Sequence, residues 1–195
     1  MIIDCHAHVT APPQLWAYKA TLLAHRGAHG RGRLKISDED IRNALAKPEI
    51  AHLGHLDLLR ELGTSRQLLS PRPFQMMHSE RPTKLVHWFV QECNNVIHRQ
   101  CEMYPDTFIG VAGLPQNAGE PIDVVLPELE RCVRELGFVG CLLNPDPFEN
   151  DGQEAPPLGD RYWYPLYEKL CELDVPASIH STSSRSERVA YSLHF

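Results

Sequence analysis

The sequence predicts an α/β protein built on a parallel sheet, and two observations carry that prediction. Short, nearly continuous apolar runs alternate with longer stretches of helical periodicity. Strands that are apolar on both faces are those covered by helices on both sides. Each apolar run is also closed by proline, glycine or a polar cluster, as the end of a β/α unit requires. The 195 residues suit one domain.

Taken in order, residues 1–5 (MIIDC) form a first strand that leads into His6-Ala7-His8. A turn region at 10–13 precedes a weakly helical stretch at 14–26, and 27–34 (GAHGRGRL) is a glycine-rich loop. Ser37 with Asp40 three positions later starts a helix as N-cap and partner. Pro48 opens another helix, whose Ile50, Leu53, Leu56, Leu59 and Leu62 recur at helical spacing until Gly63. A second strand at 64–70 stops at Pro71-Arg72-Pro73, and 82–104 is a long helix ending before Pro105. A strand at 107–114 (TFIGVAGL), a helix to Leu136 with Pro127 near its first turn, and a strand at 138–144 (FVGCLLN) follow. After a polar loop at 148–159, a helix at 161–173 leads to the fifth strand, 175–181 (VPASIHS). Residues 182–195 break the rhythm, being rich in serine and arginine with no recognisable next element.

Composition narrows the function. With 43% hydrophobic and 23% charged residues the chain is neither disordered nor fibrous. A net charge of −6 offers no footprint for nucleic acid or an anionic membrane. No apolar run approaches the roughly 20 residues of a bilayer span, and no basic leader precedes the first strand, so a cytoplasmic location is expected. The six cysteines are scattered without a C-x-x-C pair, as small buried hydrophobes of a reducing compartment would be. Eleven histidines against four methionines point instead to metal or acid–base chemistry.

His6 and His8 carry the sharpest signal. In extended backbone residues i and i+2 point the same way, so both imidazoles can meet one ion. Imidazole suits zinc, iron, nickel or manganese better than calcium or magnesium. The alternative is a pair of surface histidines. His180 ends the last strand after Ala177-Ser178-Ile179 and, if the sheet closes, shares the rim with His6 and His8. Three histidines make most of a catalytic zinc shell; a core histidine bonded to backbone is the competing explanation.

Arg72, just past the second strand, is placed to grip a substrate carboxylate or to pair with a neighbouring acid. Asn144 can donate to a substrate oxygen, whereas Asp146 reads as a turn former. His78 lines the site or is solvated. Asp4 orients a ligand histidine or merely closes the strand. His25, His29, His52, His55, His87 and His98 read as solvated or packed. No phosphate-binding glycine loop, G-x-S-x-G elbow or EF-hand occurs, against nucleotide binding and serine hydrolysis.

These residues resemble one family. The stretches 1–8 (MIIDCHAH), 35–38 (KISD), 69–72 (LSPR), 105–110 (PDTFIG), 114–116 (LPQ), 127–130 (PELE), 137–139 (GFV), 143–147 (LNPDP), 163–169 (WYPLYEK) and 175–183 (VPASIHSTS) resemble the amidohydrolase superfamily. The similarity is to its amidohydrolase-2, carboxymuconate-semialdehyde decarboxylase-like branch, nearest the 4-oxalomesaconate hydratases. The resemblance implies a TIM-type (β/α)8 barrel of the metal-dependent hydrolase kind, with His6, His8 and His180 holding one divalent metal ion, zinc. It implies a small carboxylate substrate from aromatic catabolism, positioned by Arg72, Asn144 and His78, and lyase chemistry that adds water to 4-oxalomesaconate. Decarboxylase or hydrolase chemistry on a related aromatic or muconate acid, or a non-catalytic fragment, are the alternatives; a homo-oligomer stays open. An eight-stranded barrel takes about 250 residues, so five strands make about five of its eight units. Residues 1–183 are therefore expected to be the N-terminal part of such a barrel, truncated relative to the family, with 184–195 an unrelated or disordered tail. The late-strand acid that binds metal or handles protons in the family has no counterpart here, so the resemblance names no catalytic residue.

Overall fold

In the computed structural model, residues 1–48, 52–148 and 155–180 are described. The tail at 184–195 and residues 149–154 of the loop at 148–159 therefore lie outside the described residues. Strand β1 (Ile2–His8) pairs in parallel with β2 (Thr64–Ser70), and β2 with β3 (Phe108–Gly110). A second parallel set runs β4 (Ala112–Gly113), β5 (Cys141–Leu143), β6 (Ala177–Ile179). The strand expected at 107–114 is thus two strands, β3 and β4, and the count among the described residues rises from five to six. At this split the chain changes neighbours without leaving the sheet. Val111 N donates to Leu69 O at 2.8 Å while Ala112 N donates to Gly140 O at 2.9 Å. The result is one arc of five strand positions, all parallel, with helices between successive strands. That is part of a (β/α)8-type barrel.

The first strand runs to His8 rather than stopping at Cys5, so both histidines belong to its last residues. Its register against β2 slips once beside them: Asp4 faces Gln67 and Ala7 faces Leu69, so Cys5 and His6 oppose Leu68 alone. That extra residue is a β-bulge, a device that re-aims a side chain.

Among the described residues six α-helices connect the strands: α1 (Pro13–His25), α2 (Asp38–Ala46), α3 (His55–Glu61), α4 (Lys84–Met103), α5 (Leu126–Arg134) and α6 (Tyr164–Leu173). The expected capping box of α2 is present. Ser37 Oγ accepts from Asp40 N at 3.1 Å and Asp40 Oδ2 accepts from Ser37 N at 2.7 Å. Pro48 does not open α3. That helix begins at His55 behind Gly54, and the expected Ile50 lies outside the described residues. Gly54 is needed there because a Cβ would stand 2.4 Å from the Ala46 carbonyl oxygen at the end of α2.

The long α4 packs against α1 and against β2, β3 and β4. Its Leu85, Phe89 and Ile97 are fully buried with Leu15, Leu69 and Leu129 in one apolar core. Each such side chain contributes roughly 1.5–3 kcal/mol by leaving water. Asn94 of α4 uses its amide on both backbone groups of Gly113, at 2.8 and 3.0 Å, and on Glu128 of α5 at 2.8 Å. This buried clamp fixes the point where the arc changes neighbours. Among the described residues no helix is long and apolar enough to cross a membrane.

Candidate metal centre

Parallel strands of one arc put their carboxyl ends on one rim. The structure accordingly brings His6 and His8 of β1 to His180, one residue past β6, across 172 residues of chain from His8 (180 − 8). One nitrogen from each imidazole lies within 4.8 Å of the others. Ring centroids are 5.2 Å apart for His6 and His8, 4.8 Å for His6 and His180, and 5.2 Å for His8 and His180. His6 is exposed; the other two are half-buried.

The donor chemistry fits a metal ion. Ser70 Oγ donates its one hydrogen to Ala7 O at 3.0 Å, so against His8 Nδ1 at 3.1 Å it must accept. His8 therefore carries its proton on Nδ1 and keeps the Nε2 lone pair for a ligand. Its pKa is pushed down to about 4, first by burial and then by the neighbouring His180 and His6, so the ring is neutral at pH 7. Two imidazoles on one strand and a third beyond another could hold a divalent ion.

Beside the cluster opens a cleft of about 350 Å³. His6 and His8 form one side, Leu53 and Leu58 an apolar wall, and Lys47 and Arg72 bring two cations to it. Gln67, His55, Thr10 and Asp4 complete the lining. They form a hydrogen-bonded series: Gln67 Nε2 to Asp4 Oδ2 at 2.8 Å, His55 Nε2 to Gln67 Oε1 at 2.6 Å, Thr10 Oγ1 to His55 Nδ1 at 3.1 Å. Asp4 Oδ1 also accepts from His6 N at 3.0 Å.

The structure brings together the three histidines expected from the sequence and puts Arg72 on the adjoining cleft; Lys47, His55 and Gln67, not expected at the site, line it as well. His55 is half-buried: its ring packs on Phe108 with centroids 5.3 Å apart, as a packed histidine would, and both its nitrogens are hydrogen-bonded beside the cleft. Its visible signal is Gln67, a polar residue in an apolar strand that needs a partner once buried. His52, by contrast, is exposed and lies 3.3 Å from Glu61.

His78 and Asn144 are not among the residues that line this cleft. They belong to a separate buried polar network. The Gln116 side chain bonds both backbone groups of Asn144, at 2.8 and 2.9 Å, and Asn117 Nδ2 donates to His78 O at 3.2 Å. A solvated His78 is corrected: it is 3% exposed, and burial pushes its pKa down to about 4, the Gln116 backbone working the other way. Asn144 Oδ1 accepts from Asp146 N at 3.0 Å, and its Nδ2 has no partner among the described residues. Asp146 Oδ1 in turn accepts from Phe148 N at 3.1 Å, the turn-forming role expected of it.

Known proteins place this geometry in a family. The family model described as Amidohydrolase matches residues 3–194. The 2-keto-4-carboxy-3-hexenedioate hydratase of Sphingobium sp. is 42% identical over 188 residues, covering 94% of this chain and 53% of that protein. The crystal structure of 4-oxalomesaconate hydratase from Rhodopseudomonas palustris superposes with a TM-score of 0.81 at 36% identity, over 93% of this chain and 52% of that one. A dihydroxybenzoic acid decarboxylase from Polaromonas sp., solved with bound manganese and an inhibitor, shares the fold at a TM-score of 0.62 and 24% identity, over 99% of this chain and 53% of that one. The chain spans about half the length of these relatives. With the family model laid along nearly all of its length and histidines of β1 and of the end of β6 converging on one rim, the chain belongs to the amidohydrolase family.

Proposed function

We propose that this chain carries the metal-binding and carboxylate-binding part of a hydratase that adds water to 4-oxalomesaconate. The observation that carries the reading is the convergence of His6, His8 and His180 beside a cleft holding Lys47 and Arg72. Likeness to the two hydratases over more than nine-tenths of the chain supports that chemistry over decarboxylation.

His6, His8 and His180 would hold the ion, and zinc suits a three-imidazole set. When bound, a divalent ion supplies Lewis-acid polarisation of an oxygen and acidification of water. The guanidinium of Arg72 offers a planar fork for one carboxylate and the Lys47 ammonium a point charge for another. Leu53 and Leu58 keep water off the carbon skeleton. The reaction involves no redox change: one O–H bond of water and the C=C π bond break, and one C–O and one C–H bond form. Residues 1–183 are the N-terminal part of the barrel domain in this reading, and the protein is cytoplasmic.

The test is to load the purified chain with zinc, add 4-oxalomesaconate and follow its conjugated absorbance, with the Sphingobium hydratase as positive control. Loss of absorbance without CO2 release is expected, and Arg72→Met should raise KM about tenfold or more, as loss of a charge-assisted pair implies. Release of CO2 would replace the hydratase reading with a decarboxylase one. No turnover alongside an active control would remove catalysis from this chain.

A further inference from the structure

The series of hydrogen bonds beside the metal centre has a single permitted direction. Asp4 is a carboxylate and accepts only, so Gln67 must turn its Nε2 toward Oδ2 and its Oε1 away. Oε1 in turn requires a proton on His55 Nε2, 2.6 Å away. That leaves His55 Nδ1 as an acceptor, and the Thr10 hydroxyl must donate to it. Thr10 is itself tied to α4, its carbonyl accepting from Gln100 Nε2 at 2.7 Å. The series therefore links β1 to β2 through Gln67, to α3 through His55, and to the turn after β1 through Thr10.

Its other end is the bulge. Asp4 and Gln67 face each other in register immediately before the slip that sets Cys5 and His6 against Leu68. The second Asp4 oxygen holds the His6 N–H, inside that slip. A bulge has more than one way to place its extra residue. Here the carboxylate fixes the His6 amide, and the His6 amide fixes where its imidazole points. Gln67 is 6% exposed, so solvent does not easily replace a lost partner.

We propose that Thr10, His55, Gln67 and Asp4 are positioning residues of the metal centre, locking the β1 bulge so that His6 faces His8 and His180. The proposal rests on the reading of the three histidines as a metal site and deepens it. What matters is connectivity rather than the charge of Asp4, and this has a consequence that a charge effect lacks. In Asp4→Asn every bond can be remade with reversed polarity. The Asn amide donates to Gln67 Oε1, Gln67 Nε2 donates to His55 Nε2, the His55 proton moves to Nδ1, and Thr10 Oγ1 accepts. The amide oxygen still receives the His6 N–H.

The experiment is cobalt(II) titration of the full 195-residue chain and its variants, reading affinity and the visible d–d absorption, with thermal melts of the metal-free proteins alongside. Gln67→Met and Asp4→Ala should bind cobalt about 10–100-fold more weakly, with a shifted or weakened d–d band, the usual cost of losing a partner behind a metal ligand. Asp4→Asn should stay within about threefold of wild type, because its bonds are remade. Thr10→Val, which removes one hydroxyl at the far end, should shift in the same direction as Gln67→Met and serves where that variant does not fold. If Gln67→Met and Thr10→Val melt lower but keep the wild-type cobalt spectrum and affinity, the series is only structural and the proposal is overturned. If Asp4→Asn falls with Asp4→Ala, charge rather than connectivity governs, which also overturns it. A wild-type chain that takes up no cobalt overturns the metal reading itself, and this proposal with it.

Discussion

Burial holds the His78 imidazole neutral, with its pKa pushed from 6.5 down to about 4. The unfolded chain therefore binds a proton that the folded chain refuses, throughout the window between those values. Stability from this group is complete above pH 6.5 and is lost as the pH falls toward 4. Between pH 7 and pH 5 the loss is about 2 kcal/mol. Denaturant melts of metal-free wild type and His78→Met at the two pH values check this. The variant should lose about 2 kcal/mol less than wild type between pH 7 and pH 5; equal losses would remove His78 as the cause. His8 shifts the same way and contributes to both proteins alike. At this scale the sequence was informative where position alone decides. The H-x-H alternation and a histidine closing an apolar run need only strand geometry to be recognised. That His78 and Gln67 would be buried was not legible, because burial depends on which helices cover them, and one residue's neighbours in sequence do not say that.

Two elements show how local chemistry and tertiary fit divide the work. The Ser37–Asp40 box at the start of α2 is purely local, and it was readable from four letters. Ser37→Ala removes the acceptor for Asp40 N and should cost about 1 kcal/mol in a thermal or denaturant melt. An unchanged midpoint would mean that water satisfies that amide equally well. Gly110, at the end of β3, is the opposite case. A Cβ there would meet the Phe138 ring at 2.3 Å, and Phe138 is 3% exposed and cannot swing aside. Gly110→Ala should therefore destabilise by about 1–3 kcal/mol, and Gly110→Ala with Phe138→Leu should recover part of that loss. No recovery in the double variant would place the strain elsewhere. The split of 107–114 into β3 and β4 was invisible for the same reason: TFIGVAGL is one apolar run, and the change of neighbour at Val111 is made by Leu69 and Gly140 from distant segments. The helix expected from Pro48 failed differently. Leu53, Leu56, Leu59 and Leu62 keep helical spacing, yet Leu59 alone of these is buried and Leu62 is 60% exposed, so the spacing overstated the buried face.

At the scale of the whole molecule, the three histidines join the two ends of the arc. β1 is bonded to β2 on one side, β6 to β5 on one side, and no described strand pairs with the remaining edge of either. His6 and His8 stand on the first of these strands and His180 just beyond the last. An ion held by all three would thus tie the ends of the arc to each other, and the unfolded chain, with His8 and His180 far apart in sequence, would offer no such site. Binding to the folded state alone stabilises it in proportion to ligand excess, about 2.7 kcal/mol at a hundredfold excess over Kd. For a chain of this size that is a rise in Tm of about 5–10 °C. Melts of the 195-residue chain with zinc and with a chelator should show this difference. His180→Ala should abolish the zinc-dependent rise while leaving the chelated Tm within about 2 °C of wild type, because a half-buried imidazole at a rim contributes little packing. Should the rise survive in His180→Ala, the ion would be held by β1 alone, and the arc would close through its hydrophobic core without help from a metal.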